Sequence, residues 1–129
     1  MKVLDVAALR DIATGRTFYG RALVAAAIQN VIPLGVPASA YAAALALARS
    51  KEETETLKAL ARLSVVVMLP LDASAAEIVG DTLASSGPAP DLAAGHVVTA
   101  ALSRGWTVVT DRGHQLRDYN SALKFELLP

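Results

Sequence analysis

The chain has no cysteine, which excludes disulfides and thiolate metal sites and leaves the redox compartment open. Neither sign of charge is in excess. Twelve basic residues balance twelve acidic ones, so no global positive field draws the protein to nucleic acid, and any such contact must be local. No apolar run approaches the roughly 20 residues of a membrane span. The start, Met1-Lys2-Val3-Leu4-Asp5, lacks the longer apolar stretch of a secretory signal, so the cytoplasm is the expected location. Also missing are the glycine-rich loops that cradle phosphates, the serine elbow of hydrolases and paired-histidine zinc motifs. What remains is a set of acids at strand and helix ends.

Residues 1–129 read as a single domain, long enough to bury a respectable core. Its apolar fraction of 53 %, with alanine prominent, marks a globular, helix-rich chain. The most legible stretch runs from Asp91 to His114. Pro90 and Asp91 open a helix whose Val97, Val98, Ala101 and Leu102 recur at helical spacing, and Gly105 stops it. Trp106 to Thr110 is a β-branched run that delivers Asp111 at a strand end, where α/β proteins place their chemistry. Asp111 to Asn120 reads as irregular or singly turned, and Lys124 to Leu128 as a last strand.

Earlier in the chain, Lys2 to Leu4 reads as a strand ending in Asp5, followed by a helical turn from Val6 that Thr14-Gly15 breaks. Thr17 is expected to cap a helix through Ile28. Val31 to Val36 is a second strand, weakened or pushed towards an edge by Pro33 and Gly35. Pro37 suits the first turn of an alanine-rich helix through Leu47. Ser50 to Leu63 is a charged helix, acids first and bases last, as the helix dipole prefers. Ser64 to Leu69 is a continuous apolar run, expected of a strand covered on both faces and ended by Pro70. Ser74-Ala75-Ala76-Glu77 matches a capping box, and 85–90 reads as a loop. Alternating strands and helices predict an α/β fold, a mostly parallel sheet with helices on both faces.

Val3-Leu4-Asp5-Val6-Ala7-Ala8-Leu9, Asp91-Leu92-Ala93-Ala94-Gly95-His96-Val97-Val98 and Trp106-Thr107-Val108-Val109-Thr110-Asp111, in that order, resemble the PIN-domain family. In particular they are similar to the VapC toxins of toxin–antitoxin pairs. The resemblance implies a three-layer α/β/α sandwich with a five-stranded sheet of order 3-2-1-4-5, strands one and four being neighbours. It also implies RNA cleavage with Mg²⁺ or Mn²⁺ held by several carboxylates, the ion lowering the pKa of a bound water.

Carried over residue by residue, the acids are incomplete. Asp5 matches the family's first acid, but Val6 stands where a hydroxyl residue usually follows. The family's glutamate in the helix after strand two aligns with Ala43, and the acid before the Gly-x-Val-Val segment aligns with Ala94. Asp91 lies three residues earlier, where related toxins often carry an extra aspartate. Asp111 matches the strand-four acid, with a displacement of one residue allowed.

Asp5, Asp91 and Asp111 are therefore the candidate catalytic and metal-binding residues, expected to hold Mg²⁺ or Mn²⁺ only weakly. Each has a plain structural alternative. Asp5 would cap a turn, Asp91 would cap its helix, and Arg112 would neutralise the acids internally and leave no metal site. A phosphate contact from Arg112 or His114 is a minor alternative to a surface position for His114. His96 is expected to be a hydrogen-bonded core residue, Tyr41 and Trp106 core or interface residues, and Asp11, Asp81 and Asp118 solvated. Two functions follow: a degraded toxin relative that binds an antitoxin-like protein or RNA without cutting, or a working Mg²⁺-dependent endoribonuclease. An unrelated flavodoxin-like receiver domain is a weaker third. The alanine-rich faces suggest a homodimer.

Overall fold

In the computed structural model, which describes residues 1–84 and 89–129, strand and helix alternate along the chain. β1 (Lys2–Leu4) leads into α1 (Val6–Thr14) and α2 (Tyr19–Asn30). β2 (Leu34–Pro37) is followed by α3 (Ala38–Leu47) and α4 (Lys51–Ala61). β3 (Val66–Leu69) precedes α5 (Ala73–Ala84) and α6 (Leu92–Arg104), and β4 (Thr107–Thr110), α7 (Gly113–Arg117) and β5 (Phe125–Leu127) complete the chain. The strands form one sheet of order β3-β2-β1-β4-β5, and every pairing in it is parallel. This is the predicted order. Of the predicted 85–90 loop, residues 85–88 lie outside the described residues.

Successive strand residues point to opposite faces, and Val3, Leu4, Val108 and Val109 are all fully buried. Both faces of the sheet centre are therefore covered. α6 packs along β1, β2 and β4, with α5 against it, while α1 meets β1 and β4 together with α3 and α4. No helix among the described residues is long and apolar enough to cross a membrane.

Local signals set several element ends, at Gly15, Asp91 and Gly105 as expected. Gly15 and Gly105 close α1 and α6 in the left-handed region, at φ 66° and 68°. Asp91 caps α6 by accepting from the Ala94 N–H, and Ser50 caps α4 through Glu53.

Four expectations give way to tertiary context. β2 is no edge strand: it lies between β1 and β3 with all four residues buried. Pro33 falls outside it, and Gly35 is needed there because a Cβ would sit 3.1 Å from both Leu69 and Trp106. β3, expected to be covered on both faces, is the edge strand, with Val67 41 % and Met68 37 % exposed. Pro37 ends β2 and does not enter α3. At α5 the cap is Asp72, whose carboxylate accepts the Ala75 N–H at 2.9 Å, so the helix starts ahead of the Ser74 box.

Asp11 also departs from its expected solvated role. It is buried, and its carboxylate accepts the Thr17 N–H at 3.0 Å, the Thr17 hydroxyl at 2.7 Å and the Gly20 N–H at 3.0 Å. The N-cap of α2 is Phe18 and not Thr17 as expected, while the Tyr19 and Gly20 N–H groups at the helix start are accepted by the Thr17 hydroxyl at 3.2 Å and by Asp11 at 3.0 Å. The signal was present, since Asp11 lies on the same stripe of α1 as the buried Ala8 and Ile12.

Candidate functional site

β1 and β4 are neighbours and parallel, so their C-terminal ends open into the same crevice, the switch point of the sheet. The register pairs Leu4 with Val109, which sets Asp5 beside Thr110. Asp5 donates its N–H to the Val109 carbonyl at 3.1 Å, and its side chain is wholly buried. One carboxylate oxygen accepts the Val6 N–H at 2.8 Å and the other the Thr110 hydroxyl at 2.7 Å.

Thr110 has a second role. Its oxygen accepts the Arg112 N–H at 3.0 Å, a local turn that brings the arginine back to the crevice. The Arg112 Nε then donates to Asp5 Oδ2 at 2.9 Å and Nη2 to Asp5 Oδ1 at 3.0 Å, while Nη1 donates to Asp91 Oδ2 at 2.7 Å. The two-pronged contact with Asp5 is the strong form of the arginine–carboxylate pair. One guanidinium thereby ties together the end of β1, the turn after β4 and the start of α6.

The electrostatics follow from this geometry. Hydrogen bonding to Asp5 raises the Arg112 pKa, against the opposing effect of burial and with further help from the charges of Asp5 and Asp91. Arg112 is therefore a permanent cation. Burial pushes the Asp91 carboxyl up, but the Ala94 N–H, the Arg112 guanidinium and the Ala93 N–H outweigh it and hold the group below its ordinary value.

The structure brings Asp5 and Asp91 to a common partner. Asp111 is exposed and lines the outer hollow with Arg10, Ala43, Asp91 and Arg112. Its neighbour Thr110, one residue earlier, is the group that faces Asp5. Ala43 lines that hollow from α3, and Ala94 lines a second one on the other side of Asp91 and Arg112. Among the described residues no group of three or more acids, histidines or cysteines is placed to hold a metal.

The donor set does not fit a divalent ion. Both oxygens of Asp5 and both of Asp91 already accept hydrogen bonds, and a positive charge lies between the two carboxylates. A hard cation such as Mg²⁺ fills much of its octahedron with water but still needs one or two carboxylates free to bind it directly, and Arg112 holds that place between Asp5 and Asp91. Ala43 and Ala94 offer methyl groups.

His96 is a core residue, as expected. It is buried, and its Nδ1 lies 2.8 Å from the Ser39 hydroxyl. Burial lowers its pKa, opposed by the Pro70 carbonyl, with Arg104 lowering it further and Asp72 raising it. His114 is exposed on α7 and meets the Phe125 ring edge-on at 5.1 Å. Tyr41 and Trp106 pack against the core from partly buried positions. Asp81 and Asp118 are solvated. Sequence reasoning missed Thr110: a threonine ending a β-branched strand carries no signal that its hydroxyl will serve an acid 105 residues away.

No family model matches this sequence, and no curated protein matches it. Solved structures do. A chain of VapBC2 from Rickettsia felis, bound to a DNA fragment from its promoter, superposes with a TM-score of 0.73. It is 12 % identical, and the match covers 99 % of this chain and 98 % of that one. A chain of FitAB bound to an IR36 DNA fragment gives a TM-score of 0.60 at 17 % identity, over 98 % of this chain and 94 % of that one. At such identities the likeness concerns the fold, and the fold is the PIN-like one that the motifs imply.

Proposed function

We propose that this PIN-like chain is a toxin-type domain that no longer cuts RNA and acts in the cytoplasm by binding a small antitoxin-like protein. One observation carries the reading: the Arg112 guanidinium lies between Asp5 and Asp91, where metal-dependent cleavage would need a divalent ion. Hydrolysis of a phosphodiester by a metal-bound water draws most of its stabilisation from the ion's charge. Asp5, Asp91 and Asp111 are the acids such chemistry would have used, and Ala43 and Ala94 remove two more. An arginine already bound to both inner carboxylates can neither lower the pKa of a water nor leave without exposing Asp5 as a buried, unpaired charge.

Binding of a protein is supported by the surface. Ile28, Val31 and Ile32, at the C-terminal end of α2 and just beyond it, are exposed, as is Phe18 at its other end, and exposed apolar groups close together in a chain favour an interaction site. The similar folds in VapBC2 and FitAB occur within two-protein complexes, which points the same way.

The test is direct. With purified protein, single-stranded and structured RNAs stay intact in Mg²⁺ or Mn²⁺, and calorimetry gives a dissociation constant no tighter than millimolar for either ion. The product of an adjacent small open reading frame, co-expressed, is retained through purification. Metal-dependent cleavage abolished by Asp5→Asn, or micromolar metal binding lost in the same variant, would overturn the reading in favour of an active endoribonuclease.

A further inference from the structure

The acids that survive in the crevice are not simply remnants. A carboxylate as deeply buried as Asp5 costs several kcal/mol unless a positive charge and hydrogen bonds compensate it. Here the compensation comes from within the chain and is complete: every oxygen of the pair accepts at least one hydrogen bond, three of the six from Arg112. We propose that the Arg112 guanidinium is a built-in replacement for a divalent cation. It makes the domain indifferent to Mg²⁺ and Mn²⁺, and its removal hands the Asp5–Asp91 pair to a cation from solution.

Several features make this more than a surface ion pair. The arginine side chain is 26 % exposed, that of Asp5 0 % and that of Asp91 43 %. The charge is therefore seated on the buried carboxylate and only its outer side meets water. Its backbone is fixed by the Thr110 oxygen, which also donates to Asp5, so the turn that presents the arginine and the acid that receives it share one hydroxyl. The planar fork matches the two oxygens of Asp5, which a lysine ammonium would not. The small side chains of Ala43 and Ala94 border the hollows on either side of the acid–arginine cluster, and a longer acid at either position would compete for the same cation. Losing those two acids and gaining an internal cation are thus compatible changes in one site.

The inference builds on the reading that the site does not cut, yet it is tested on stability and spectra, so the two fail separately. Arg112→Ala is expected to lower the thermal midpoint by about 10 °C, the usual consequence of stranding a buried charge. Millimolar Mn²⁺, or millimolar guanidinium as a probe of the same shape as the missing group, then restores a few degrees, as a weak ligand of the folded state should. The wild-type midpoint does not move with either. Adding Asp5→Asn to Arg112→Ala removes the response.

A second measurement needs no variant. In the wild type, titrated Mn²⁺ leaves the amide resonances of Asp5, Thr110 and Arg112 unbroadened, and the Arg112 Nε–H stays visible. Broadening of those three signals at sub-millimolar Mn²⁺ would overturn the proposal, even if Arg112→Ala fails to fold. So would a folded Arg112→Ala that neither cation stabilises. Cleavage of RNA by the wild type with the three signals unaffected would leave this inference standing and sink the proposed function instead.

Discussion

Asp5 and Asp91 bind the same guanidinium, but their energetics differ because their solvation differs. Asp5 has no exposed surface, while the Asp91 side chain is 43 % exposed. Asp5→Ala leaves Arg112 half-buried without its main partner and is expected to cost about 3–5 kcal/mol. Asp91→Ala loses a helix cap and a screened ion pair, about 1 kcal/mol. Urea denaturation of the two variants checks this, and equal losses would contradict the assigned hierarchy.

His96 carries a prediction of opposite chemistry. Its folded pKa lies below the ordinary 6.5 of histidine, so below that pH the unfolded chain holds more protons than the folded one. Stability therefore falls as pH drops from about 6.5 and levels off once the folded His96 also titrates. Asp91 behaves differently, being held below 3.8: its contribution is intact above that pH and is lost only as pH falls lower still. Thermal midpoints measured from pH 8 to pH 5 should show the histidine slope in the wild type and not in His96→Gln.

Among the elements, α7 is short, but it positions the turn that carries Arg112. A Cβ on Gly113 would run into the Phe125 ring, and that ring is already held edge-on by His114 and covered by the Arg117 guanidinium at 4.5 Å. Gly113→Ala must push β5 or the turn after β4 outward. A loss of about 1–3 kcal/mol is expected from such overpacking. The Arg112 Nε–H should shift in the same variant, because its neighbour has moved. A stable Gly113→Ala with an unshifted signal would show that α7 and the arginine are independent.

The outward faces of the elements were harder to read than their ends. Caps at Asp91 and Ser50 and stops at Gly15 and Gly105 are local, and the sequence displays them. The exposure of β3 is not local: Val65-Val66-Val67-Met68-Leu69 looks the same whether a strand is central or at an edge. β2, interrupted by Gly35, looked peripheral and is buried, since that glycine admits Leu69 and Trp106.

For the molecule as a whole, α2 is loosely integrated, with Gly20 and Ala27 alone buried among its twelve residues. Ala22, Ala25, Ala26 and Ile28 remain exposed on it, next to Val31, which is held at φ 53°. Small side chains let a second helix approach closely. This surface overlaps the one proposed for the protein partner, so for the isolated chain self-association through it is the expected outcome, in competition with that partner. Sedimentation velocity over a range of concentrations should show a dimer that Ala26→Glu disperses. A concentration-independent monomer would exclude it.

The sequence by itself set the alternation of strands and helices and placed acids at the end of β1 and at the start of α6, and the family resemblance implied two further acid positions that hold Ala43 and Ala94 here. Those are properties of local propensity, period and alignment, and no folding is needed to see them. Which polar group would face Asp5 was decided only by tertiary structure. Strand alternation makes a shift of one residue reverse the side a group points to, so the pairing of β1 with β4 chose Thr110 at the crevice. The turn that follows then returned Arg112 to it, across a separation of 107 residues. Charge compensation of a buried acid depends on which donors lie within about 3 Å, and sheet register sets those distances.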